Sequence, residues 1–274
     1  MDLRLKKSHV TFEGKTQFFE HDSQVTKTPM SFSTYTPNGE VKNAIIWLSG
    51  LTCNEENFIT KAGAQKELSG TSTMIICPDT SPRGLSLIGE HEAYDFGSGA
   101  GFYVNATTEG YKDHYRMYDY ILEEIVPLLK KQFSVQKISI MGHSMGGHGA
   151  LILGIKNPNI FSSVSAFSPI VNPSFCPWGV KAFNGYLGEE RESWKEYDTC
   201  ELLKNGFTRK DTLFIDQGNA DEFLKEQLLT GNLEATATDS GQSVNIRYQD
   251  GHDHSYYFIQ TFLKDHLDFH MLSF

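Results

Sequence analysis

Gly142-His143-Ser144-Met145-Gly146 forms the pattern G-x-S-x-G. A serine hydroxyl is a weak nucleophile at neutral pH. It becomes effective when a base takes its proton and a third group orients that base. The pattern follows a short β-branched run, Lys137-Ile138-Ser139-Ile140-Met141, and precedes a helix-like stretch from Gly149 to Lys156. In the order strand, tight turn, helix, a serine sits on a strained bend with its hydroxyl lifted over the end of a sheet. Glycines two positions either side of Ser144 let strand and helix approach without colliding side chains. The chemistry indicated is acyl transfer through a serine ester.

In this arrangement the acid and then the histidine follow the serine along the chain. The later histidines are His148, His252, His254, His266 and His270. His148, four residues beyond Ser144, reads as a packed or capping residue on the elbow helix. His266 and His270 are spaced i, i+4 on the last helix and read as a partly exposed face. His252 and His254 lie in Gln249-Asp250-Gly251-His252-Asp253-His254-Ser255, between the last strand and that helix. His254 stands just before the helix and is the preferred base. The H-x-H spacing could also attract a metal, but two histidines and one aspartate in a loop make an incomplete ligand set, and no metal is expected. For the acid, Phe214-Ile215-Asp216-Gln217-Gly218-Asn219-Ala220-Asp221 offers Asp216, at a strand end where it could cap loop N–H groups, and Asp221, beyond a glycine turn. Local reasoning prefers Asp221 only slightly. The oxyanion hole needs two backbone N–H groups. Met145, next to the nucleophile, is assigned one, and Leu51, in Leu48-Ser49-Gly50-Leu51-Thr52-Cys53, the other.

These residues need a scaffold, and the hydrophobic pattern supplies one. Ala44–Leu48, Thr73–Cys77, Ile138–Ile140, Ser163–Phe167, Thr212–Ile215 and Val244–Tyr248 read as strands of a largely buried parallel sheet. Helical patterns fall between them at 55–68, 118–132, 145–156, 222–229 and 255–270. The first forty residues read as antiparallel β, with a hairpin across 10–19 turning near Gly14 and a strand over 30–35. Strand–helix alternation predicts an α/β fold with a mostly parallel central sheet, helices on both sides and antiparallel strands at its N-terminal edge. Its catalytic groups gather where the parallel strands end. No repeat or linker divides the chain, so one domain over 1–274 is expected.

Composition narrows the classes. The 274 residues carry a net charge of −10, which argues against nucleic-acid binding. No run of eighteen apolar residues predicts a membrane span, and the first residues lack the apolar stretch of a signal peptide. The widely spaced Cys53, Cys77, Cys176 and Cys200 read as reduced thiols of a cytoplasmic protein.

Several blocks taken together resemble the S-formylglutathione hydrolases of the esterase D type. They are Trp47–Cys53, Pro78-Asp79-Thr80-Ser81-Pro82-Arg83-Gly84, Tyr94–Tyr103, Tyr115-Arg116-Met117-Tyr118, Gly142–Ala150 and Asp253-His254-Ser255-Tyr256-Tyr257. The resemblance covers nearly the whole chain and implies an α/β-hydrolase fold. It implies nucleophile Ser144, acid Asp221, base His254, and oxyanion donors Leu51 and Met145. It also implies a pocket with Cys53 beside the oxyanion loop and Trp178 near the site. The implied substrate is a small-molecule thioester, with no metal or organic cofactor, no membrane or nucleic-acid partner, and a homodimer as the oligomeric state. The implied reaction is hydrolysis of S-formylglutathione in formaldehyde detoxification. The alternative is a general short-chain carboxylesterase using the same machinery. Glutathione is anionic and so is this protein, so local cations would have to compensate; Lys61, Arg83 and Lys181 are the candidates.

Overall fold

The computed structural model describes residues 2–274. Among the described residues nine strands form one sheet: β1 (Arg4–Val10), β2 (Gly14–Asp22), β3 (Pro29–Pro37), β4 (Asn43–Leu48), β5 (Thr73–Pro78), β6 (Lys137–His143), β7 (Phe161–Phe167), β8 (Leu213–Gly218) and β9 (Val244–Gln249). Their order is β1-β2-β3-β5-β4-β6-β7-β8-β9. The first three strands are antiparallel, and β3 joins β5 antiparallel. From β5 to β9 every neighbour is parallel. The expected class and the antiparallel N-terminal edge are both present. The hairpin turns at 11–13, with Phe12 at φ 50°, and Gly14 is already in β2.

The helices are α1 (Glu55–Lys61), α2 (Ala64–Leu68), α3 (Met117–Asp119), α4 (Val126–Gln132), α5 (Met145–Lys156), α6 (Pro177–Leu187), α7 (Arg191–Trp194), α8 (Thr199–Lys204), α9 (Thr230–Ser240) and α10 (Tyr256–Leu272). The pattern over 55–68 is two helices rather than one, because Gly63 adopts φ 80° between them. The 118–132 pattern is interrupted by a π-helical turn at Tyr120–Ile125. Pro127 follows it and withholds a backbone N–H from the helical ladder.

Alternating residues of the central strands feed two apolar layers. Ala44, Ile46 and Leu48 of β4 join a core with α5 and α6. Ile45 and Trp47 join another with Phe167 of β7 and Phe258 and Leu263 of α10. α5 is buried from Met145 to Ile155, which explains why its sequence is apolar and glycine-rich all round. The carboxyl ends of β4, β6 and β8 therefore open at one edge, between two fixed helical layers.

Candidate active site

The elbow is built as the glycines require. β6 ends at His143, Ser144 takes φ 57° and ψ −119°, and α5 starts at Met145. A Cβ on Gly142 would lie 2.2 Å from Gly146 O, and one on Gly146 would lie 2.0 Å from Leu48 O. The bend is also tied from outside. Ser144 N–H donates to Phe167 O at 3.0 Å, and Ser144 O accepts from Ile170 N–H at 3.2 Å.

Met145 opens α5, so its N–H has no intrahelical acceptor. The loop after β4 faces it. A Cβ on Gly50 would come within 3.2 Å of Ser144 Cβ. Thr52 N–H donates to Gly99 O at 2.9 Å and Cys53 N–H to Gly50 O at 3.4 Å, which ties down the cavity-lining stretch itself. Cys53 O accepts from Thr80 Oγ1 at 2.6 Å and from Arg83 Nη2 at 3.0 Å.

Asp221 and His254 are brought together. His254 Nδ1 donates to Asp221 Oδ2 at 2.6 Å, leaving Nε2 as the other ring nitrogen. Asp221 also accepts from Phe223 N–H at 2.9 Å and, more weakly, from the Gln217 side chain at 3.4 Å. The two loops that carry the pair are locked. Ala220 N–H donates to His252 O at 3.0 Å, and a Cβ on Gly218 would meet that same oxygen at 2.3 Å. Ser144 and His254 line one cavity of about 290 Å³ together with Leu51, Cys53 and Trp178. They form no hydrogen bond with each other; a catalytic hydrogen bond of this kind commonly tightens only when substrate is held.

Other candidates lie elsewhere. His252 Nδ1 donates to its neighbour Asp250 O at 3.0 Å. His148 is buried, with Nε2 on Phe102 O at 2.9 Å, and burial pushes its pKa down to about 4. Asp216 does not cap loop N–H groups. Its carboxylate is held by Arg247 at 2.8 and 2.6 Å, by Gln249 at 2.9 Å and by His266 at 3.1 Å. Burial alone would raise its pKa, but these donors, Arg247 foremost, bring it down to about 2. The expectation of a partly exposed His266–His270 face is overturned. Both rings are fully buried and share the Ser165 hydroxyl, each at 2.8 Å. Serines on β7 supply the partners that let two imidazoles sit under the sheet.

Three wall residues escaped the sequence reading. His143 packs 4.3 Å from the His254 ring and Phe223 stands edge-on to it at 5.0 Å. Tyr94 accepts from Trp178 Nε1 at 3.0 Å. His143 was visible as the first variable residue of G-x-S-x-G. Burial and the neighbouring His254 hold its pKa well below the usual range, so it is a neutral neighbour. Among the described residues no group of three or more His, Cys, Asp or Glu side chains is placed to hold a metal ion. No helix among them is long and apolar enough to cross a membrane.

A mostly parallel sheet with an elbow serine at its carboxyl edge defines the α/β-hydrolase class. The Esterase family model matches residues 23–269. The S-formylglutathione hydrolase of Rattus norvegicus is 49% identical over 276 residues, with 98% of each chain covered. The structure of an S-formylglutathione hydrolase from Agrobacterium tumefaciens superposes with a TM-score of 0.93 at 39% identity, covering 97% of this chain and 98% of that one. A fluorophosphonate-binding serine hydrolase from Staphylococcus aureus shares the fold at a TM-score of 0.75 and 16% identity, covering 93% and 98% of the two chains. The chain belongs to the esterase family and, within it, to the S-formylglutathione hydrolases.

Proposed function

We propose that this hydrolase cleaves S-formylglutathione to glutathione and formate through a formyl-enzyme on Ser144. The observation that carries the reading is the 2.6 Å His254–Asp221 hydrogen bond on the cavity that holds the elbow serine. Near-full-length identity of 49% to a rat S-formylglutathione hydrolase supports the substrate.

Ser144 attacks the formyl carbon as His254 Nε2 takes its proton. Asp221 keeps the His254 proton on Nδ1 and stabilises the imidazolium that forms. The N–H groups of Leu51 and Met145 hold the developing oxyanion, in a site where hydrogen bonds gain from exclusion of water. The thiolate departs readily, since a cysteine-type thiol has a pKa of about 8.5. It takes the His254 proton, and water activated by His254 then releases formate. Cys53 and Trp178 serve as pocket walls beside the acyl group, and no metal or organic cofactor enters the reaction. Residence in the cytoplasm fits the four unpaired cysteines, and a role in formaldehyde detoxification and a homodimeric state belong to the same proposal.

The test is kcat/KM for S-formylglutathione against that for a short aryl ester. A large preference for the thioester is expected. A ratio near or below one makes the protein a general short-chain carboxylesterase instead.

A further inference from the structure

A formyl group carried on Ser144 would occupy the cavity, and the thiol half would then extend toward its mouth. On the reading above, which this inference depends on, that half is a peptide with two carboxylates. A chain of net charge −10 offers it no long-range attraction. Three cations come into question, and the structure separates them. The Arg83 guanidinium is forked onto Asp79 at 2.7 and 2.8 Å. Lys181 is paired with Asp95. Each of these is neutralised by its own carboxylate.

Lys61 differs. It is the last residue of α1 and is exposed. Its ammonium lies 5.3 Å from the centre of the Tyr256 ring, and that ring, with Cys53, is part of the cavity wall. The Cys53 thiol, raised mainly by burial, feels Lys61 as the strongest opposing influence. The Lys61 backbone is anchored to the helix behind the histidine loop, because the Gln260 side chain donates to Lys61 O. The ring attracts the ammonium only weakly at an exposed site, so a carboxylate can draw it away.

We propose that Lys61 forms a carboxylate-binding subsite at the cavity mouth and selects thioesters of anionic peptide thiols over uncharged esters. The subsite adds binding without touching the reacting atoms, so it acts on KM.

The experiment compares wild type, Lys61→Met, Lys61→Glu and Lys61→Arg on S-formylglutathione and on p-nitrophenyl acetate, with circular dichroism to confirm folding. The kcat/KM preference for the thioester is expected to fall about three- to tenfold in Lys61→Met, through KM, and further in Lys61→Glu. Lys61→Arg should restore most of it. An unaltered preference in both Lys61→Met and Lys61→Glu overturns the proposal. A second measurement separates this from the activity itself: glutathione as an inhibitor of p-nitrophenyl acetate hydrolysis. If wild type fails to turn over S-formylglutathione but glutathione inhibits it and spares Lys61→Glu, the subsite stands and the assigned reaction falls. Equal inhibition constants in wild type and Lys61→Glu sink the subsite whatever the reaction.

Discussion

Two histidine–aspartate pairs come from neighbouring stretches of chain. His254 meets Asp221 at 2.6 Å, and His266 meets Asp216 at 3.1 Å. Asp216 lies within β8 and Asp221 just past it, while His254 precedes α10 and His266 lies within it. The difference is in what else each group touches. His266 has both nitrogens bonded, the second to Ser165, and its ring is stacked between Phe167 and Phe214 at 3.8 and 4.4 Å. Asp216 already has a permanent counter-ion in Arg247. His254 has one nitrogen bonded to Asp221 and opens onto a cavity. A fully satisfied pair stabilises, whereas a pair with an unused nitrogen beside a nucleophile can move a proton. Residue type alone does not tell them apart.

Substitutions can break this contrast, and the largest effect is expected at the front. Ser144→Ala should lower kcat by about 10⁴- to 10⁶-fold, with His254→Ala comparable and the melting temperature little changed. Asp221→Asn should cost about 10²- to 10⁴-fold, because the amide no longer holds the required tautomer. At the back, Asp216→Asn should instead lower folding stability by roughly 1.5–3 kcal/mol, since it removes the buried carboxylate shared by Arg247 and His266 while Arg247 keeps Asp265, and activity per folded molecule should stay near wild type. Steady-state kinetics beside urea titration checks both. A silent Asp221→Asn together with an inactive, folded Asp216→Asn would reverse the assignment of the two pairs.

Acidity should sharpen the contrast further. Burial lowers the pKa of His266, and lowers that of His270 well below the usual range. The unfolded chain therefore binds protons that the folded one refuses. The stability from these neutral rings is complete above about pH 6.5 and is lost as pH falls toward their folded values, by up to about 1.4 kcal/mol per pH unit for each ring. Urea midpoints at pH 7 and pH 5 measure it, and His266→Asn should flatten the slope. The smallest expected effect is Tyr94→Phe, which removes the Trp178 contact at the exposed rim, where water can replace the hydroxyl. Its cost should be below about 1 kcal/mol in the same titration.

The parallel strands were legible because a buried strand reads as an unbroken apolar run, and α5 was legible from the elbow that starts it. Other parts depended on partners distant in sequence. His266 and His270 looked half-exposed because the chain does not advertise that Ser163 and Ser165 will lie beneath them. In α9 three threonines, an asparagine and a glycine dilute the better helix formers and leave little amphipathic contrast, so its helical state leans on packing more than on propensity. α6 to α8 escaped notice too, although Pro177 at the first turn of α6 and Asp198 capping α8 were usable start signals. Between Asp216 and Asp221, only the resemblance to relatives gave a firm preference from sequence; locally both aspartates follow the same apolar run.

The bend at Ser144 is tied by hydrogen bonds to Phe167 of β7 and to Ile170 beyond it, and Gly146 packs closely against Leu48 O of β4. Its shape is thus a collective property of three strands and a helix, and no short peptide around it would keep that shape. Heating should accordingly extinguish catalysis and ordered structure in one step, since nothing local remains to present the oxygen once the sheet separates.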